Sequence, residues 1–175
     1  MKTFEQTVLV HLDAAYNLAR WIVRDDTGAE DVVQEASLRA HRFLAARSVE
    51  HPKSWFMTVV RNACLDWLRE HRRGSRDESY DDELHGLNRP AERDSGSDPE
   101  QDAIRAAEAR WLRECIERLP IEYREVIVLR ELEELSYREI SSIVDVPIGT
   151  VMSRLARARD ALLRSMHAER ERMKR

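Results

Sequence analysis

A chain of 175 residues can hold one medium domain or two small ones. Charged residues make up 35% and apolar residues 42%, with five glycines and five prolines, as expected of a largely helical soluble protein. No apolar run approaches the roughly 20 residues a bilayer-spanning helix needs, and the formal net charge of −4 argues against a nucleic-acid binder until it is divided along the chain.

Residues 4–23 place Phe4, Val8, Leu12, Tyr16 and Ala19 at helical spacing, which predicts one amphipathic helix to about Val23. The start, Met1-Lys2-Thr3-Phe4, enters this pattern directly and lacks a signal-peptide profile, so a cytoplasmic protein is expected. Asp25-Asp26-Thr27-Gly28 reads as a turn. A second helix opens at Ala29-Glu30-Asp31, its acids suited to the helix dipole, and carries Val32, Val33, Ala36, Ala40 and Phe43 to about Ala46. After a loop at 48–51, Pro52 suits a first helical position. The helix it begins runs to about Arg73 with Trp55, Phe56, Val59, Val60, Ala63, Cys64, Trp67 and Leu68 as its apolar stripe.

Residues 74–103 change character. They hold ten acids against three arginines, a balance of −7 that leaves +3 for the rest of the chain. Rich in Gly, Ser and Pro and without helical period, this segment reads as a flexible acidic linker. Beyond it, Ile104, Ala107, Trp111, Leu112, Cys115, Ile116 and Leu119 predict a helix ended by Pro120. Tyr123, Val126, Ile127, Leu129 and Leu132 predict another to about Leu135. The fold class is therefore all-α: a helical domain over 1–73, the linker over 74–103, and a second helical domain over 104–175.

The most informative stretch is SYREISSIVDVPIGTVMSRLARARDALL, residues 136–163. Ser136 and Glu139 form an S-x-x-E capping box, and Ile140, Ile143 and Val144 supply a buried face. Pro147 breaks the helix, and Thr150 is a cap for the next one. In that helix Val151, Leu155, Ala158 and Leu162 share an inward face, leaving Ser153, Ala156 and Arg157 outward beside Met152 and Arg154. Residues 150–175 hold eight basic groups and three acids. A capped helix, a tight turn and a second helix with a basic outer face make a helix-turn-helix, whose second helix fits the DNA major groove.

Residues 119–159, LPIEYREVIVLRELEELSYREISSIVDVPIGTVMSRLARAR, resemble region 4 of a bacterial RNA polymerase sigma factor of the extracytoplasmic-function (ECF) type. GAEDVVQEASLRAHRFL and PKSWFMTVVRNACLDWLREHRR are similar to sigma region 2, in the right order upstream. The resemblance implies a factor that binds core RNA polymerase, recognises −35 and −10 promoter elements and promotes initiation at a specific regulon. It points to Asp31, Gln34, Glu35 and Arg39 as core-polymerase contacts, on the β′ coiled coil. For the −10 element it points to Arg61, Asn62, Arg69, Arg72 and Arg73, with the loop at 46–54 holding an extruded base. For the −35 element it points to Thr150, Ser153, Arg154, Ala156 and Arg157.

Partners implied by the resemblance are core polymerase (β′ coiled coil and β flap), promoter DNA and an anti-sigma factor. Two departures matter: Met152 stands where Lys or Arg is frequent, and Asp145 where the turn usually has Gly. Because Ala156 offers only methyl contact, base discrimination is expected to rest on Arg157. No nucleophile–base pair, phosphate loop or metal-ligand spacing is present, so neither an enzyme nor a cofactor is expected. Cys64 and Cys115 sit in helical patterns and read as core thiols. The rival readings are a stand-alone repressor or activator, which leaves the polymerase-docking pattern unused, and a sigma-like decoy that binds an anti-sigma protein, whose recognition face should be degraded. A nucleic-acid enzyme is the remotest, lacking an active-site constellation.

Overall fold

The computed structural model describes residues 4–74 and 99–173, with side chains over 4–71 and 101–168. Most of the acidic segment lies outside the described residues, as do the side chains of Arg72 and Arg73. Among the described residues every regular element is helical. The first bundle comprises α1 (Phe4–Thr7), a 3-10 turn (Leu9–His11), α2 (Leu12–Val23), α3 (Asp26–Leu44) and α4 (Pro52–Gly74). The second comprises α5 (Pro99–Glu117), α6 (Ile121–Ile127), a π turn (Val128–Leu132), α7 (Tyr137–Val144) and α8 (Ile148–Met173).

Several boundaries differ from the sequence expectation. The helix expected over 4–23 is interrupted after Val8 by the 3-10 turn, and the backbone leaves the α region at His11, φ −117° and ψ 10°. The tighter turn seats Thr7 and Val8 at 0% exposure and leaves Leu9 and Val10 outside. The expected turn at 25–28 is the start of a helix: Asp25 is the N-cap of α3 and accepts a hydrogen bond from the Gly28 backbone N–H. α5 begins at Pro99, inside the span read as linker, with proline at the first helical position. Pro147, not Thr150, precedes α8, and its carbonyl accepts from the N–H groups of Thr150 and Val151.

Leu18 and Ile22 of α2, Ala36 of α3, and Phe56 and Val60 of α4 form the centre of the first bundle. Val126, Leu129, Ile140, Ile143 and Leu155 form that of the second. The two centres belong to one continuous apolar core. α4 packs on α2 and α3 and also on α7, while α2 packs on α6. Met57, which lies off the predicted apolar stripe, is accordingly buried at 0% exposure.

Gly28 marks a close approach within the first bundle. A Cβ there would sit 2.6 Å from the Trp67 ring, and that ring is itself held by stacking on His71 at 3.7 Å. Gly28→Ala is therefore expected to destabilise the chain by about 1–3 kcal/mol through overpacking, measurable as a lower urea midpoint with an unchanged slope.

Candidate nucleic-acid interface

α7 and α8 meet through the tight turn the sequence foretold. Ser136 caps α7, accepting from the Glu139 N–H at 3.3 Å while donating its own N–H to Glu139 Oε2 at 2.8 Å. At the other end Asp145 takes the left-handed conformation, φ 53° and ψ 52°. Aspartate visits this region more readily than most residues, so the turn closes without glycine. Ser141 Oγ then ties it down by donating to the Val146 carbonyl at 2.6 Å.

This turn aims α8 outward. Val151, Leu155 and Ala158 are buried against the bundle, and Met152, Ser153, Ala156 and Arg157 are exposed. Arg157 has only a marginal contact of 3.5 Å with the Tyr123 hydroxyl, so its guanidinium can turn to a new partner. Arg159 is engaged by Glu131 at 2.7 Å. Thr150 is half-buried at the helix start, and its carbonyl accepts from Ser153 Oγ.

On α3, Asp31, Gln34, Glu35 and Arg39 are all exposed. Their spacing makes one stripe, with Leu38 at 49% exposure beside it. Arg39 donates to Glu35 at 2.8 Å and to Asp66 of α4 at 3.3 Å, so the stripe is braced from the neighbouring helix. Asp66 also accepts from Arg69 at 2.8 Å.

Along α4 the candidates separate. Asn62 and Arg69 are exposed. Arg61 is turned toward the second bundle, where Nε and Nη2 donate to the two carboxylate oxygens of Glu125 at 2.7 and 3.2 Å. Arg154 of α8 reaches the same carboxylate at 3.4 Å. The Glu125 side chain is only 3% exposed. Removing either partner of such a buried pair costs on the order of 3–5 kcal/mol, because a charge is left without compensation.

A second contact crosses the same seam. Lys53 Nζ donates to the Glu133 carbonyl at 2.8 Å and lies 3.5 Å from its carboxylate, which Asn17 also approaches at 3.5 Å. Beside it is an open cleft of about 440 Å³, lined by His11, His51, Lys53 and Ser54 from the first bundle and Glu139 from the second. Burial, and then the Lys53 charge, hold His11 below the usual imidazole value. Arg124 is buried on α6 with Nη1 on the Glu117 carbonyl; burial, then the nearby Arg24 charge, bring it down to about 10.

The sequence gives Glu125 and Glu133 no role, although Glu125 carries a signal. It falls at the spacing of Ile121, Val128 and Leu129, an acid on an apolar face, and such an acid needs a cation opposite it. Cys64 is buried as read, and burial pushes its thiol up to about 12. Among the described residues no group of His, Cys, Asp and Glu could hold a metal ion.

The family description "Sigma-70 region 2" matches residues 7–74 and "Sigma-70, region 4" matches residues 109–162. The ECF RNA polymerase sigma factor SigW of Bacillus subtilis is 30% identical over 168 residues, covering 93% of this chain and 88% of that protein. This chain belongs to the ECF sigma factors. The RNA polymerase sigma-H factor of Pseudomonas aeruginosa is 31% identical, with 92% of this chain and 84% of that protein covered. The sigma factor RpoE of Bartonella quintana, solved with the anti-sigma factor NepR, has a TM-score of 0.75 and 26% identity over 95% of this chain and 98% of that one. As an ECF sigma factor the chain binds core polymerase and promoter DNA and promotes transcription initiation.

Helix α7 supplies a test of the local geometry that aims α8. The Ser136 hydroxyl first, and its backbone N–H second, hold the Glu139 carboxyl below the usual glutamate value. Because the folded value lies below the unfolded one, the stabilisation is complete above the ordinary glutamate range and is lost as pH falls through the lowered value. Ser136→Ala is expected to cost about 1 kcal/mol at neutral pH. It should also return the Glu139 titration toward its ordinary value, read by thermal denaturation and carboxyl NMR.

Proposed function

We propose that the two bundles divide the work of a sigma factor at the residues named above. Residues 1–73 serve core polymerase through Asp31, Gln34, Glu35 and Arg39, and the −10 element through Arg61, Asn62, Arg69, Arg72 and Arg73. Residues 104–175 serve the −35 element through Thr150, Ser153, Arg154, Ala156 and Arg157, with the acidic segment 74–103 joining the two. The observation that carries this reading is the exposed face of α8, whose Ser153, Ala156 and Arg157 stand clear of a buried face that fixes the helix.

An α-helix held this way fits a major groove, with Arg157 able to pair bidentately with a guanine and Ala156 able to pack on a thymine methyl. The protein acts in the cytoplasm, where its polymerase is, and performs no covalent catalysis of its own. It is held in check by an anti-sigma factor. Support for that partner is the likeness to the Bartonella quintana sigma factor solved with NepR.

Run-off transcription with purified core polymerase tests the whole reading: the chain should join core and direct RNA from a defined start. Failure to do either overturns it. At the level of one residue, Arg157→Ala should cost about 1–3 kcal/mol of promoter binding by the holoenzyme, with relaxed preference at one position of the −35 element. An equal loss on every sequence would assign Arg157 to a phosphate instead.

A further inference from the structure

The outer side of α8 carries two parallel rows of residues four apart. One is Ile148, Met152 and Ala156; the other is Gly149, Ser153 and Arg157. The first row is apolar and open to solvent: Ile148 is 39% and Met152 53% exposed, and Ala156 is exposed beyond them. It ends at Asp160, which is tied to Arg164 at 2.9 Å.

Much of the polar chemistry near these rows is already committed. Ser153 donates its hydroxyl proton to the Thr150 carbonyl at 3.0 Å, Arg154 is turned inward to Glu125, and Arg159 is held by Glu131. A Cβ on Gly149, one turn before Met152, would meet nothing within 4 Å, so the surface there is open. We propose that Met152, with Ala156, reads the C5-methyl groups of thymines in the −35 element, so that this chain selects promoters by an apolar contact beside Arg157. This rests on the assignment of the outer face of α8 to the −35 major groove.

Thymine alone among the four bases presents a methyl group in the major groove. A lysine or arginine at position 152 could hold a phosphate, a contact that positions the helix without reading sequence. Methionine cannot do that, but its flexible and polarizable thioether chain fills irregular apolar surface. Met152 and Ala156 lie about 6 Å apart along the helix, so the row can cover methyl groups of different base pairs. The second row brings Arg157 alongside, as a donor to guanine.

The test uses holoenzyme assembled from the full chain and core polymerase, and a promoter fragment that this holoenzyme selects from a pool randomised across the −35 element. Each thymine of the selected element, on either strand, is replaced singly by deoxyuridine, which removes the C5-methyl group and leaves the hydrogen-bonding edge intact. At one position or more, binding should weaken about four-fold, as expected for one methyl group left uncovered. Met152→Ala should shrink that penalty to less than about two-fold. At the same position 5-methylcytosine should be bound more tightly than cytosine by a similar factor, and only when Met152 is present. Met152→Lys should lose the methyl dependence and steepen the salt dependence by about one ion.

Three results overturn the inference while leaving α8 as a reader of the −35 element through other contacts. These are a selected element without thymine on either strand, deoxyuridine tolerated at every thymine, and a penalty that persists undiminished in Met152→Ala. A pool that returns no preference anywhere across the −35 element overturns the assignment of α8 itself, and the inference with it.

Discussion

A carboxylate at 3% exposure is tolerable only with cations against it, and Glu125 draws one from each of two bundles. That requirement organises much of the chain. It orients Arg61 away from the open surface of α4, ties the inner side of α8 to α6, and fixes which face of the first bundle meets the second. The apolar core continues across the same boundary, from Phe56 and Val60 to Ile140 and Ile143. Apolar burial supplies attraction without direction. The buried charge supplies the register, because a shifted seam would strand Glu125 in a dry interior.

The division between what could be read and what could not follows the range of the forces involved. Ser136, Glu139, Asp145 and Pro147 act on their own backbone, and the α7–α8 turn followed from them directly. The inward face of Val151, Leu155 and Ala158 followed from helical period alone. Caps that depend on a choice between neighbours were less legible. Asp25 and Asp26 both suit an N-cap, and the α3 start fell to Asp25 because Gly28 lies against Trp67, a contact across 39 positions of sequence. The break after Val8 likewise reflects which side chains the bundle buries, and helical spacing continues through it unmarked.

Least legible was the seam between the bundles. Met57 is an ordinary helical residue until a second bundle covers it, and Lys53 reads as a solvated lysine until Glu133 is brought to it. Of the surfaces assigned to partners, the α3 stripe and the outer face of α8 are exposed, whereas Arg61 and Arg154 are turned inward. The chain thus exposes the stripe proposed for polymerase and part of the face proposed for the −35 element, and covers part of the one proposed for the −10 element.

The π turn at Val128–Leu132 acquires a mechanical meaning in that arrangement. Its register is marked by the bond from the Glu133 N–H to the Val128 carbonyl, and Arg130 closes it by donating to the Leu135 carbonyl. Glu131 within it holds Arg159 of α8, and Glu133 immediately after it holds Lys53 of α4. A single short segment with a widened helical pitch is therefore held by α8 on one side and by α4 of the neighbouring bundle on the other. The position of α8 is thus tied to that of α4 through one short segment of the second bundle.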